Sequence, residues 1–289
     1  MSLREQYQFL FDVTYNDALR ERFLSQPYEV LKEARLDTEE FQPLTQGRIN
    51  RMRGESLARR AYYLNIFFSS LPRTTFVLTS ACRSLEPLNS FFSSPNFQNC
   101  FSSDESFVQA FNGFLAEQVQ HCASKLPFLP DLHSFEWAIY LLRTRLSQEG
   151  SNVPRKVPLD HTRRLVLAPH TLLGHFTYPI TEIVDYIDYF KASSWYRLAP
   201  LYAAAGERIP TLVIPHEPLS EPLLVLLTLQ STRHRILKIK PSQYDALVAC
   251  DGTRTCDQVL EAVAASEVPK LTAWLDYCWQ NRMLEYLEP

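Results

Sequence analysis

Glycine is what this sequence has least of. Seven occur in 289 residues (Gly47, Gly54, Gly113, Gly150, Gly174, Gly206 and Gly252), and no two lie closer than seven positions. An average protein carries roughly 7% glycine. Loops that cradle phosphate cluster their glycines, because backbone amides must approach the ligand without a Cβ in the way. A P-loop, a dinucleotide fingerprint, a kinase glycine loop and a G-x-S-x-G nucleophile elbow therefore cannot be written from this chain. The six cysteines form no C-x-x-C and no paired Cys/His spacing of the zinc type. No run of lysine or arginine stands out, and 29 basic residues face 32 acidic ones for a net charge of −3. That balance argues against nucleic-acid binding by bulk charge. The longest apolar run, Pro222 to Leu229, is far too short to span a bilayer. The opening MSLREQYQFLF places charges inside what would be the apolar region of a signal peptide. The expectation is a cytoplasmic protein with reduced, mostly buried thiols and no membrane partner.

What is present is core-forming material. Residues are 46% hydrophobic and 12% aromatic, which excludes intrinsic disorder, and the length fits about two domains. Residues 3–46 read as short helices. Leu10, Phe11, Val13, Leu19, Phe23, Leu24, Tyr28, Val30 and Leu31 recur at helical spacing, Pro27 opens the second helix, and D-T-E-E at 37–40 reads as the cap of a third. From about 48 to 192 the pattern stays mainly helical. It includes Ala58 to Leu71 (ended by Pro72), Ser103 to Glu117 with S-D-E as its cap, and Leu132 to Leu146. The polar stretch Gly150 to Pro158 reads as a connection. R-R-L-V-L-A-P-H-T-L-L-G-H-F-T-Y-P-I reads as one or two short strands, and Thr181 to Phe190 as helix.

Beyond 208 the pattern changes. T-L-V-I, L-L-V-L-L-T-L and R-I-L-K-I-K are β-rich runs. Helical patterns follow at Ser242 to Cys250, Thr255 to Ala265 and Val268 to Arg282, and Leu284 to Leu287 can add a strand. The fold class is thus α+β. A helical unit at 1–47 and a mostly helical domain at 48–207 precede a small winged-helix module at 208–289, with a three-stranded sheet and three helices. Asp251–Gly252 is expected to end a helix with Gly252 in the left-handed conformation, and Thr253 or Thr255 to cap the next.

Few residues carry chemistry. His133 and Glu136 stand at i, i+3, half of a metal site at best, and reading them as a surface pair or a partner contact is preferred. His170 and His175 fit no standard ligand spacing. Cys250 and Cys256 flank the D-G-T turn and are read as buried thiols rather than a redox pair. Trp274 and Trp279 lie about 140° apart around one helix, so one of them is a candidate to line a groove. The strand His234 to Lys240 alternates Leu237 and Ile239 with Arg235, Lys238 and Lys240. At a sheet edge it could accept an added peptide strand, with basic side chains suited to an acidic partner; an ordinary edge blunted by lysine is the alternative.

Two stretches carry resemblances. I-L-K-I-K-P-S-Q-Y-D-A-L-V-A-C-D-G-T-R-T-C-D-Q-V-L-E-A-V-A-A-S resembles the PqqD-like leader-peptide recognition domains of ribosomal peptide natural-product pathways. L-P-F-L-P-D-L-H-S-F-E-W-A-I-Y-L-L-R followed by R-R-L-V-L-A-P-H-T-L-L-G-H-F-T-Y-P-I resembles the DUF2063 family, as does the upstream R-R-A-Y-Y-L-N-I-F-F-S-S-L, although Tyr63 stands where that family has an arginine. Together they cover about residues 55–287. The combination is similar to the partner subunits of DUF692 multinuclear non-haem iron oxygenases in 3-thiaglutamate and, more distantly, methanobactin biosynthesis.

The resemblance implies a non-catalytic subunit that forms a heterodimer with a DUF692 iron enzyme and presents a precursor peptide whose cysteine is modified. It implies no cofactor in this chain, the iron belonging to the partner. The leader would add a strand along His234, Arg235, Ile236, Leu237, Lys238, Ile239 and Lys240, and pack on Leu271, Trp274, Leu275 and Cys278. Leu237→Pro is then expected to abolish peptide binding by deleting a backbone donor. The enzyme would dock near Glu136, Trp137, His170, His175 and Tyr178. Members of the DUF2063 family are also labelled DNA-binding proteins, so a winged-helix regulator is the rival reading.

Overall fold

The structure, a computed structural model, describes residues 3–36, 49–100, 106–146, 155, 157–189, 213–214, 217–230 and 233–287. The fold is α+β, with helices and two three-stranded antiparallel sheets. Its contacts separate two units: Met1–Ser124 with Phe190–Leu212, and Lys125–Tyr189 with Val213–Pro289.

Within its described residues the first unit is helical. Its helices are α1 (Leu3–Tyr15), α2 (Asp17–Ser25), α3 (Pro27–Glu33), α4 (Ile49–Ser70), α5 (Pro72–Cys82), α6 (Glu86–Asn89), α7 (Pro95–Asn99) and α8 (Phe107–Cys122). The core is aromatic. Phe67 stacks on Phe111 at 4.2 Å, and Phe91 meets both rings edge-on at 5.1 and 5.2 Å. Tyr15 at the end of α1 reaches the same core, 4.9 Å from Phe97 and 5.7 Å from Phe92. Such pairs contribute about 0.5–1.5 kcal/mol each beyond their buried area. Helix α1 shares this core through Tyr15, while Phe9, Val13, Phe23, Val30, Leu31 and Leu36 form a buried cluster of their own. Helix α8 is capped by Ser106, whose hydroxyl accepts from the Gln109 amide in a capping box, three residues after the expected Ser103. The expected cap at 37–40 lies outside the described residues.

The second unit contains α9 (Leu129–Leu146), β1 (Arg164–Leu167), β2 (Thr171–Phe176), α10 (Ile180–Tyr189), β3 (Leu223–Gln230), β4 (Arg233–Lys238), α11 (Pro241–Val248), β5 (Asp251–Thr255), α12 (Cys256–Glu261), α13 (Val268–Gln280) and β6 (Leu284–Tyr286). One sheet has the order β2-β3-β4 and the other β5-β1-β6. This corrects the expected self-contained sheet within 208–289. Each sheet takes one strand from residues 164–176: β2 pairs with β3 from Thr171↔Thr228 to Phe176↔Leu223, and β1 lies between β5 and β6. Those ladders bind residues 164–176 to the C-terminal segment. The strand expected at 211–214 is not formed at Val213 and Ile214, and 211–212 lie outside the described residues.

The D-G-T-R-T segment is a further correction. It is strand β5 rather than a turn, and α11 ends earlier, at Val248. Gly252 does have a left-handed φ of 85°. The reason is steric as well as conformational, because a Cβ there would lie 2.9 Å from Val166 Cγ1 on β1. Asp251 Oδ1 accepts from Thr253 N and Oγ1, and Thr255 caps α12 as expected. Inside β2, Gly174 leaves room for the Phe176 ring, which would sit 2.6 Å from any Cβ at that position.

Several of the described helices begin with proline. Proline occupies the first or second position of α3, α5, α6, α7, α11 and α13, where its missing N–H costs no intrahelical bond. The turns after α3, α5 and α13 place Arg35, Arg83 and Arg282 at positive φ.

Candidate peptide-docking edge

Strand β4 is an edge strand, because β3 is its one neighbour in the β2-β3-β4 sheet. Its register runs from Val225↔Lys238 to Gln230↔Arg233. Beyond the ladder, Ile239 N–H donates to Leu224 O at 3.0 Å. Bonded and non-bonded pairs alternate in an antiparallel ladder, so Arg233, Arg235, Leu237 and Ile239 bond to β3. The N–H and C=O groups of His234, Ile236 and Lys238 turn to the outer edge, and among the described residues no strand pairs with them. Leu237 N–H therefore points into the sheet. The expected effect of Leu237→Pro through an outward donor is corrected on this ground, and Lys238 is the exposed position whose N–H faces out.

Side chains alternate across the sheet. Leu173, Leu224, Leu226, Leu237 and Ile239 pack into the core formed with α11, α12 and α13. Arg235 shares that face, exposed, with its Nη2 3.5 Å from the Tyr277 hydroxyl on α13. Tyr277 stacks on Trp274 at 5.5 Å, and both are half-buried.

The other helix residues expected to hold a peptide are placed differently. Leu271, Leu275 and Cys278 are 1%, 0% and 0% exposed. Their i, i+4, i+7 spacing puts them on the stripe of α13 that faces the core. Trp274 and Tyr277 border that stripe on the side of Arg235. Trp279 is buried on the far side, where its N–H donates to Val157 O at 2.9 Å and Arg155 lies 3.7 Å above the ring. Tyr277 went unnoticed in the sequence, although its i+3 spacing from Trp274 is a usable signal.

The residues expected to meet a partner protein do not form one patch. Helix α9 lies along β2, with Phe135 5.9 Å from Phe176. Its Asp131 Oδ2 accepts from Thr177 N and Tyr178 N at 2.6 and 2.9 Å. At its other end Arg145 donates to Pro169 O at 3.2 Å. His170 and Tyr178 thus sit at opposite ends of the strand. Glu136 is 3% exposed, too enclosed to contact a partner, which corrects its expected role. Trp137 is half-buried and stacks on Tyr140 at 5.0 Å. His175 is exposed on the opposite face of the sheet, 6.3 Å from the Tyr244 ring.

The chemistry-bearing residues are quiet. His133 is buried rather than on the surface, and burial lowers its pKa to about 4, which keeps the imidazole neutral. Burial pushes the Cys250 and Cys256 thiols up to about 12 and raises Cys278 as well. Cys256 Sγ lies 3.4 Å from His161 Nδ1, but a thiol held protonated is a poor nucleophile. Among the described residues no group of three or more His, Cys, Asp or Glu side chains could hold a metal ion, and no helix is long and apolar enough to cross a membrane. Compared with models of known protein families and with curated proteins, the chain matches none.

Proposed function

We propose that this chain is a non-catalytic, peptide-holding subunit. It takes up a leader peptide as an added strand on β4 and presents the precursor to a DUF692-type multinuclear iron oxygenase that modifies a peptidyl cysteine. The observation that carries the reading is the outer edge of β4, where His234, Ile236 and Lys238 offer backbone donors and acceptors beside the half-buried Trp274 and Tyr277. The resemblance to peptide-recognition and DUF2063 segments supplies the iron enzyme as the partner. A DNA-reading role has less support. A recognition helix needs basic side chains toward the groove, and α13 carries only Lys270, which is paired with Glu267 at 2.8 Å.

Titration of the full chain with its precursor peptide tests the docking. Lys238→Pro deletes an outward N–H and is expected to weaken binding at least tenfold while leaving the protein folded. Unchanged affinity in a folded Lys238→Pro variant places docking elsewhere. Co-purification with the iron enzyme tests the partner, and no complex at micromolar concentrations removes that half of the proposal.

A further inference from the structure

Helix α10 buries one face and leaves the other bare. Ile180, Ile183, Val184 and Ile187 are buried. Glu182, Asp185, Tyr186 and Tyr189 recur at i, i+3, i+4 and i+7, so they share the opposite face. Tyr186 and Tyr189 are 36% and 81% exposed. The Tyr186 hydroxyl donates to Val213 O at 3.0 Å, which pins that ring and sets Val213, 74% exposed, beside it. Tyrosine is enriched where proteins meet, because it offers a wide apolar ring with a polar tip.

Charge around this face has a single sign. Glu217 and Glu221 flank Leu219, whose N–H donates to Thr177 O just before α10. With Asp188, the described residues from 171 to 230 hold five acidic side chains and no lysine or arginine. Glu182, Asp185, Glu217 and Glu221 are exposed and form no ion pair among the described residues. A protein surface that covers such carboxylates must bring cations to them, since a buried charge without a partner is costly.

We infer that the outer face of α10 docks the partner enzyme, and that the enzyme meets it with lysine and arginine around a hollow for the Tyr189 ring. The inference rests on the partner half of the proposed function and deepens it by naming the contact face. An acidic face suits a basic protein surface, as Arg235 and Lys238 on β4 suit an acidic segment, so the two ligands are told apart by sign. Helix α10 is no part of the β2-β3-β4 sheet, so the enzyme does not need the edge that takes the peptide.

The test uses the full chain, immobilised on a sensor, and the purified DUF692-type iron enzyme with no peptide present. Binding by the unaltered chain should weaken about tenfold from low to high salt. Tyr189→Ala should weaken it about tenfold at either salt. Asp185→Lys should weaken it about fivefold at low salt and little at high salt. Lys238→Pro, which strips the peptide edge, should leave enzyme binding unchanged. Tyr189, Asp185 and Lys238 are exposed, so the fold stays in place, and thermal unfolding checks this. If the unaltered chain binds and both α10 variants bind as well as it does, the face is overturned and the partnership stands. Binding lost in Lys238→Pro alone moves the enzyme to β4 and overturns the face as well. No binding by the unaltered chain removes the partner reading and the inference together.

Discussion

Arg35, Arg83 and Arg282 have φ of 56°, 50° and 59°, a region that costs a side chain with a Cβ about 1 kcal/mol more than glycine. Each occupies the turn where a helix most often places glycine. The closing bonds are present: Leu36 N–H to Leu31 O at 2.8 Å, Ser84 N–H to Thr79 O at 3.2 Å, and Met283 N–H to Cys278 O at 2.8 Å. Buried Leu36 and Met283 hold the first and third of these turns in place. Arg83 is exposed, so Arg83→Gly should stabilise the protein by about 0.5–1 kcal/mol, seen as a higher urea midpoint at unchanged slope. His133 makes the opposite kind of contribution. Its folded pKa of about 4 lies below the usual 6.5, so the unfolded chain binds the proton more readily. The stabilisation is complete above pH 6.5 and is lost as pH falls toward 4, amounting to about 3 kcal/mol at most. Denaturation at pH 7 and pH 4.5 should show a smaller acid loss in His133→Gln than in the unaltered protein.

At the scale of elements, long periodic segments were legible. α9, α13, β3 and β4 lie close to where spacing put them, because one buried face imposes its period on the sequence, whereas α4 ends where expected but begins at Ile49 rather than Ala58. β5 was not legible. D-G-T-R-T has turn chemistry, and it becomes a strand only through β1, far earlier in the chain. The site was half legible for the same kind of reason. The edge strand and Trp274 follow from local pattern, whereas which amides face outward depends on the register with β3. The register also separates two neighbouring substitutions. Leu237→Pro removes a ladder bond inside the sheet and should cost about 3 kcal/mol, whereas Lys238→Pro should shift thermal unfolding little. Comparable melting of the two variants would contradict the assigned phase of the ladder.

At the scale of the molecule, the C-terminal segment that resembles a transferable recognition module lacks two of the strands in its own sheets. β2 and β1 come from residues 164–176 and are held by backbone bonds that include Ala168 N–H to Met283 O at 3.0 Å and Leu287 N–H to Arg164 O at 3.1 Å. Residues 208–289 expressed alone should show no cooperative unfolding and poor amide dispersion in NMR spectra. Residues 125–289, which keep every strand of both sheets, should melt in a single transition. A cooperative 208–289 fragment would show that β1 and β2 are dispensable.

The placement of β1 between β5 and β6 also bears on the protein's synthesis. A chain leaves the ribosome from its N-terminus, so β1 emerges well before either neighbour exists. Until β5 and then β6 follow, Leu165, Val166 and Leu167 form a bare apolar strand with two open edges. Pairings this distant in sequence are slow to form and prone to association meanwhile. The nascent chain is therefore a natural client for a chaperone, and translation that stops before β6 leaves one of those edges permanently open.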